Sequence, residues 1–430
     1  MSAASSPPDA YRRNHYVPQW YQRRFLAPGD PQAKLFYLDM KPDLVRHDDG
    51  VERPRNALLR WGPVRCFKED DLYTTRLGRL QSTEIERKFF GPIDEAGPKA
   101  LEFLDSFNHT HIQHGALNTL VETMSIQRLR TPKGLEYLAR LSKAKRNDVL
   151  MLMQSVRNMH CAIWTDAVWA IVDASKSPTK FIVSDNPVTF YNQDCFPGGD
   201  VCRRLGDPDV RMVGTHTIHP LSPDKALVIT NLAWVRNPYQ KGIRVHPNPE
   251  LYRGAVFNFT GVQVGRELSE HEVRQINFII KARARRYIAA AKKEWLYPEQ
   301  HLGNPSWRLF GEEHLLMPDP RLMTFSDQFV FGYEGGGSQV FDEYGLRPGQ
   351  RGFQDKQRHK AQWDSFHRFR GEYARTFGPQ ARGDTLEMGG RSNADMVARM
   401  HDHHIQHERE IVDRLSIPLP KVKKRSGGLA

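Results

Sequence analysis

The first dozen residues, MSAASSPPDAYR, hold no apolar run and predict a disordered leader over 1–12. Pro18 then suits the start of a short helix, because its ring presets φ and the N–H it lacks would go unpaired there. Tyr21 and Phe25, four apart, share one face of that helix, so Trp20, Arg23 and Arg24 point elsewhere. AKLFYLD (33–39) reads as a strand, with Pro, Asp and Gly punctuation through 54. From about 81 to 160 the spacing turns helical. STEIERKFF offers Ser82 as a cap, and GALNTLVETMSIQRLRTP sets Leu117, Leu120, Val121, Met124 and Leu129 near one stripe, with Pro132 closing the helix. KGLEYLARLSKAKRNDVLMLMQSVRNMHCAIW continues as a further long helix or helix pair, its Lys and Arg on the wet face and its Leu and Met on the dry one.

Short apolar runs of strand length follow at 167–172, 180–183, 225–230 and 255–259, separated by Pro, Gly and Asp loops, and suggest one mixed sheet across 165–265. SEHEVRQINFIIKARARRYIAAAKKEW (269–295) opens with Ser269 and has Glu272 three residues on, a capping box that predicts a closing helix. Pro298, Gly303, Asn304 and Pro305 mark a boundary. Beyond it, 305–417 predicts a mostly helical C-terminal extension with helices at 355–378 and 392–415. GYEGGGSQVF lacks the strand-to-helix context and the Lys of a phosphate-cradling loop, so it reads as a turn. Residues 418–430 form a basic tail. The whole pattern predicts an α+β fold: a core domain over 13–298 built on a mixed sheet with a helical insertion, plus the helical extension.

At 430 residues and 39% hydrophobic, with 22 Phe, 14 Tyr and 8 Trp, the chain can bury a sizeable core. Sixty-two Lys and Arg against 50 Asp and Glu leave a formal charge of +12, which biases association toward polyanions such as nucleic acid. The four cysteines, 66, 161, 195 and 202, have no CxxC spacing. No stretch nears the roughly 20 apolar residues that span a bilayer. With no secretory leader either, these features predict a soluble, cytoplasmic protein with no membrane partner.

HYVPQWYQRRF near the start, QRLRTP at a helix end, FIVSDNPV after a strand, HPLSPDKALVIT and an IN before an aromatic-basic helix run in an order that resembles the bacterial domain-of-unknown-function family 4238, over roughly 13–292. Gln22 and Arg24 stand where that family pattern has a leucine and usually an asparagine, so Arg24 is not carried over. The resemblance implies no activity, and 300–430 lies outside it.

His15 titrates nearest neutrality, so beside Arg23 it is a candidate acid, base or phosphate ligand. Arg23 and Arg130 offer permanently charged forks suited to phosphate, with Gln127 on the same side of the helix as Arg130. Asp185 stands where an apolar run enters a turn, flanked by Ser184 and Asn186, and could bind a divalent metal, act as a base or orient His15. The competing reading of SDNP is an Asx-type turn that caps its own backbone. Near the end, HDHHIQHERE would place His403 and His407 one helical turn apart as weak metal ligands, although it is not an HExxH pattern, and a solvated helix face is the plainer reading. Arg399 and His404 have a spacing that resembles the ribonuclease signature of the HEPN superfamily.

Together these features predict a phosphodiester-directed, nuclease-like hydrolase acting on nucleic acid: His15 and Asp185 catalytic, Arg23, Gln127, Arg130, Ser184 and Asn186 substrate-binding, and a divalent metal a candidate cofactor. The alternatives are a nucleic-acid-binding module that does not cut, gripping a strand with groups such as Trp20, Trp363 and Phe366, and a structural protein whose motifs are packing signatures.

Overall fold

A computed structural model of the chain describes residues 13–29, 33–73, 75–77, 80–82, 90–107, 114–142, 146–240, 245, 261–312, 314–323, 328–332, 335–342, 346–377, 406 and 410. The leader, the strand expected at 255–259, the helix expected at 392–415 and the basic tail lie wholly or almost wholly outside the described residues. The chain divides into two compact units, residues 1–231 with 243–316 and residues 232–242 with 317–430. The fold is α+β.

The first unit opens with strand β1 (Arg13–His15) and helix α1 (Gln19–Arg23). Pro18 sits one position earlier than expected, as the residue before α1, with φ −57° and ψ 142°. Tyr21 and Phe25 are buried, as their shared face requires. Then come β2 (Leu35–Asp39), the hairpin of β3 (Leu44–Arg46) and β4 (Glu52–Pro54), β5 (Leu58–Trp61), β6 (Lys68–Asp70), which pairs antiparallel with β1, and the hairpin of β7 (Thr75–Leu77) and β8 (Leu80–Ser82). Ser82 therefore ends a strand instead of capping a helix, its backbone taken by the partner strand, and the next described helix, α2, spans Gly91–Asp105.

Helices α3 (His114–Leu129), α4 (Pro132–Ser142) and α5 (Arg146–Thr165) complete the insertion, with Leu117, Leu120, Val121, Met124 and Leu129 all buried. Pro132 starts α4 where it was expected only to close α3. The Thr131 hydroxyl accepts from the Gly134 amide at 3.0 Å and donates to the Arg128 carbonyl at 3.1 Å, so a cap and a proline at the first helical position join the two helices with almost no loop.

Two sheets form where one was expected. Strand β9 (Ala167–Asp173) joins β11 (Thr189–Asn192), β12 (Thr215–Pro220), β13 (Lys225–Asn231) and β14 (Gln263–Glu267) in the order β11-β12-β13-β9-β14, antiparallel except for the parallel pairing of β14 with β9. Strand β10 (Val183–Ser184) joins β15 (Tyr287–Ala290), β2 and β5 in the order β10-β15-β2-β5. The chain crosses from one sheet to the other within Asp185–Val188, and Pro187 there has no N–H to leave unpaired. Between β11 and β12 lies the short helix α6 (Asp200–Leu205).

Helix α8 (Glu270–Arg283) carries the expected capping box, with the Glu272 amide donating to the Ser269 hydroxyl at 3.3 Å and the Ser269 amide donating to the Glu272 carboxylate at 2.8 Å. It stops at Arg283, twelve residues short of the expected end. Ala284 turns extended at ψ 150°, and the run after it, rich in good helix formers, enters the four-stranded sheet as β15. Tertiary pairing overrides local propensity here. Helix α9 (Leu309–Glu312) closes this unit.

The second unit holds α7 (Leu232–Arg236), the antiparallel hairpin of β16 (Gln328–Gly332) and β17 (Ser338–Asp342), and α10 (Lys356–Phe377). Arg358 of α10 bonds the fully buried Asp342 at 3.0 Å, and the Tyr239 hydroxyl bonds Glu372 at 2.5 Å. No helix among the described residues is long and apolar enough to cross a membrane.

Candidate basic cleft

The last turn of α3 ties the sequence motifs together. Gln127 donates to the Tyr16 carbonyl at 2.8 Å. Arg128 donates to the Asn186 side-chain oxygen at 2.5 Å and to the Val188 carbonyl at 3.3 Å, with its guanidinium 4.4 Å from the centre of the Phe190 ring. Thus HYVP, QRLRTP and SDNPV meet, but through a hydrogen-bond frame. Arg130 faces the other way: its fork holds Asp94 with two bonds of 2.9 Å, and Gln127 accepts from it as well.

Asp185 is fully engaged. Its carboxylate accepts from the backbone amides of Arg285, Arg286 and Tyr287 at 2.8, 2.7 and 2.8 Å. Burial raises its pKa, opposed by those three amide bonds. N–H groups aimed at a carboxylate present their positive ends, which makes it a poor cation ligand and fixes the strand entry after α8. Ser184 accepts from the Asn186 amide at 3.1 Å, so the local turn is capped by a serine hydroxyl and not by the expected Asp185 and Asn186, whose side chains bond the amides after α8 and the Arg128 guanidinium respectively. His15, on β1, bonds the Val64 carbonyl at 3.1 Å, and burial lowers its pKa. Arg23 is exposed and donates to Gln19 one turn earlier at 3.2 Å. Among the described residues no hydrogen bond or ion pair joins His15 or Arg23 to Arg130 or Asp185: each of the four is held by other partners. His403 and His407 lie outside the described residues.

A different set of residues gathers charge. Asp207, buried after α6, takes Arg128 on one oxygen and Lys133 at 2.8 Å on the other, with Arg283 at 3.6 Å. Burial pushes its pKa up, but the three cations outweigh that and hold it at about 2. Burial lowers the Lys133 pKa, Asp207 raises it, and the neighbouring Arg128 and Arg283 lower it again. Arg283, 1% exposed, also donates to the Cys202 sulfur at 3.0 Å and to the Cys195 carbonyl, and stacks 4.6 Å over Trp307, while its Nε has no partner.

Above this cluster opens a cavity of about 270 Å³ whose wall carries Lys41, Lys133, Arg140, Arg203, Arg283 and Arg285. Glu136 is the single carboxylate among its described lining residues, and Arg285 holds it at 2.7 Å. Lys41 and Arg140 have no carboxylate partner among the described residues. Asp185 matters here indirectly, because the amides it pins belong to the segment that carries Arg283 and Arg285 into the wall. A concave surface with six cations and one acid focuses field lines on anions. Arginine forks supply the bidentate geometry that phosphate oxygens accept.

The sequence singled out Arg130 and passed over Arg128, Lys133, Arg140, Asp207, Arg283 and Arg285. Some signal was present. Lys133, Glu136, Tyr137 and Arg140 follow i, i+3, i+4, i+7 spacing along one face of α4, and KARARR packs four cations in six residues. Nothing in the sequence shows that these two segments face each other. Among the described residues no group of three His, Cys, Asp or Glu is placed to hold a metal ion.

A family model described as "Protein of unknown function (DUF4238)" matches residues 13–294, a span that contains every residue of the cleft. No curated protein and no solved structure matches the chain.

Proposed function

This chain belongs to the DUF4238 family, and we propose that its family region binds nucleic acid by seating a phosphate in the basic cleft walled by α4, the 197–206 segment and the end of α8. The observation that carries this reading is the cluster of six cations around one small cavity: Lys133 and Arg283 share Asp207, Arg203 pairs with Asp200 and Arg285 with Glu136, while Lys41 and Arg140 have no carboxylate partner among the described residues. The two unpartnered cations beside the paired ones leave a positive potential over the cavity that an anionic ligand would complement. Binding fits better than cleavage. Asp185, expected as a catalytic or metal-binding carboxylate, spends its oxygens on three backbone amides, and His15 is engaged with the Val64 carbonyl.

The test uses labelled single-stranded RNA and DNA 20-mers titrated with the full chain at several salt concentrations, with and without Mg²⁺ or Mn²⁺, beside the double variant Lys41→Gln/Arg140→Gln. Both side chains lie at the rim without carboxylate partners, so their loss leaves the fold intact. The expected result is salt-dependent binding without products, weaker in the variant, whose slope of log affinity on log salt falls by about 1.4, roughly 0.7 for each lost phosphate contact on a single strand. Equal slopes in wild type and variant would remove the cleft from the interaction. Products that appear with metal and vanish in Asp185→Ala would establish the hydrolytic alternative.

A further inference from the structure

The cleft floor differs from its rim. Lys41 and Arg140 at the rim are exposed, as groups that follow a polyanion's backbone usually are. The floor is dry: Arg128 and Arg283 are 2% and 1% exposed, Lys133 reaches the same spot, and all three share one carboxylate, Asp207. Arg128, part-buried Lys133 and Arg283 share Asp207, and buried Asp185 is a second carboxylate in electrostatic reach of Lys133, so the floor keeps a small positive excess that an anion would neutralise. Arg283 lines the cavity, and its buried Nε lacks a hydrogen-bond partner. A phosphodiester brings one negative charge, whereas a phosphate monoester brings about −1.5 to −2 at pH 7 and three acceptor oxygens. The cavity, about 270 Å³, lies at the small end of ligand sites, of a size for one nucleotide and not for a strand passing through.

We infer that the cleft recognises a terminal phosphate monoester, the phosphorylated end of a nucleic-acid strand, with the dianion at the Lys133–Arg283 floor and the adjoining nucleotides along the Lys41–Arg140 rim. This rests on the nucleic-acid reading above and sharpens it from backbone binding to end recognition. A monoester at a strand end fits a cavity that a continuous strand does not thread, and Asp207, already engaged by three cations, holds them in place without repelling the ligand outright.

The experiment compares otherwise identical 12-mers bearing a 5′-phosphate, a 3′-phosphate or hydroxyls at both ends, titrated against the full chain at pH 7.5 and pH 5.5. One phosphorylated form should bind at least tenfold tighter than the hydroxyl form, and which one does so identifies the end that is read. The preference should shrink at pH 5.5, where the monoester, with a second pKa near 6, loses charge. Arg140→Glu, a rim substitution read for fold by circular dichroism, should reduce the preference at least fivefold; an unchanged preference would place the phosphate elsewhere and overturn the inference. If all three strands bind within twofold of one another, end recognition fails while nucleic-acid binding stands. If none binds, both readings fail.

Discussion

Asp185 is a carboxylate whose place in the sequence suggests chemistry and whose hydrogen bonds show a structural task. A carboxylate between an apolar run and a proline suggested chemistry, yet its oxygens collect the amides of Arg285, Arg286 and Tyr287 and so determine where α8 gives way to β15. Asp185→Asn replaces one acceptor by a donor facing an N–H, leaving buried amides unsatisfied. The expected cost is about 1–3 kcal/mol of stability by urea denaturation, with weaker phosphate binding because the Arg283–Arg285 wall loosens. Unchanged stability with abolished cleavage would instead mark a catalytic group. Arg128 and Arg130 teach the converse. They lie two positions apart, about 200° around a helix, so they serve opposite faces. Only docking of α3 reveals that Asp94 occupies Arg130 while Arg128 turns toward Asn186 and Asp207.

At the scale of elements, most helices and strands were legible because their apolar spacing is regular: the Leu117–Leu129 stripe, the Ser269 capping box and the 167–173 strand all form. What spacing cannot show is which strands share a sheet, since β2 and β15 pair across some 250 residues. Nor does it show how closely two helices approach. The junction of α3 and α4 depends on Gly134, where an added Cβ would lie 2.3 Å from the Arg128 carbonyl oxygen and 2.5 Å from that of Leu129. Both are backbone atoms that cannot swing aside. Gly134→Ala gains about 1 kcal/mol of helix propensity, but overpacking of this kind costs typically 1–3 kcal/mol, occasionally more. With backbone as the obstacle, the upper part of that range applies and the variant should melt earlier than wild type. It should also bind phosphorylated strands less tightly, since α4 carries Lys133 and Arg140. A raised melting temperature would show that the junction has room the geometry denies.

For the molecule as a whole, the formal charge of +12 is a bias toward polyanions with no location attached; the basic cleft emerges only when α4, the loop before α6 and the end of α8 are brought together. The same burial that makes it dry makes the first unit sensitive to acid. His160, His216 and His219 are buried, bonded to Ser125, Thr230 and the Pro187 carbonyl respectively, and burial lowers their pKa values to about 3, 4 and 4. Each folded-state value lies below the ordinary value of 6.5, so the unfolded chain binds more protons as pH falls through that range. Stability is therefore full above about pH 6.5 and is lost progressively toward pH 4. At pH 5 each histidine withdraws about 2 kcal/mol, some 6 kcal/mol for the three, which is comparable to the whole stability of many domains. Asp185, its pKa raised, works in the opposite sense and offsets part of this at lower pH, while Asp207, held at about 2, contributes its stabilisation throughout the window. Urea midpoints should fall steeply between pH 7 and pH 5, and His160→Gln, even if less stable at pH 7, should show a shallower slope by roughly one proton. A midpoint independent of pH across that interval would mean that these histidines become charged without unfolding the chain, and that the interior around Arg128 is far wetter than its packing against Phe190 requires.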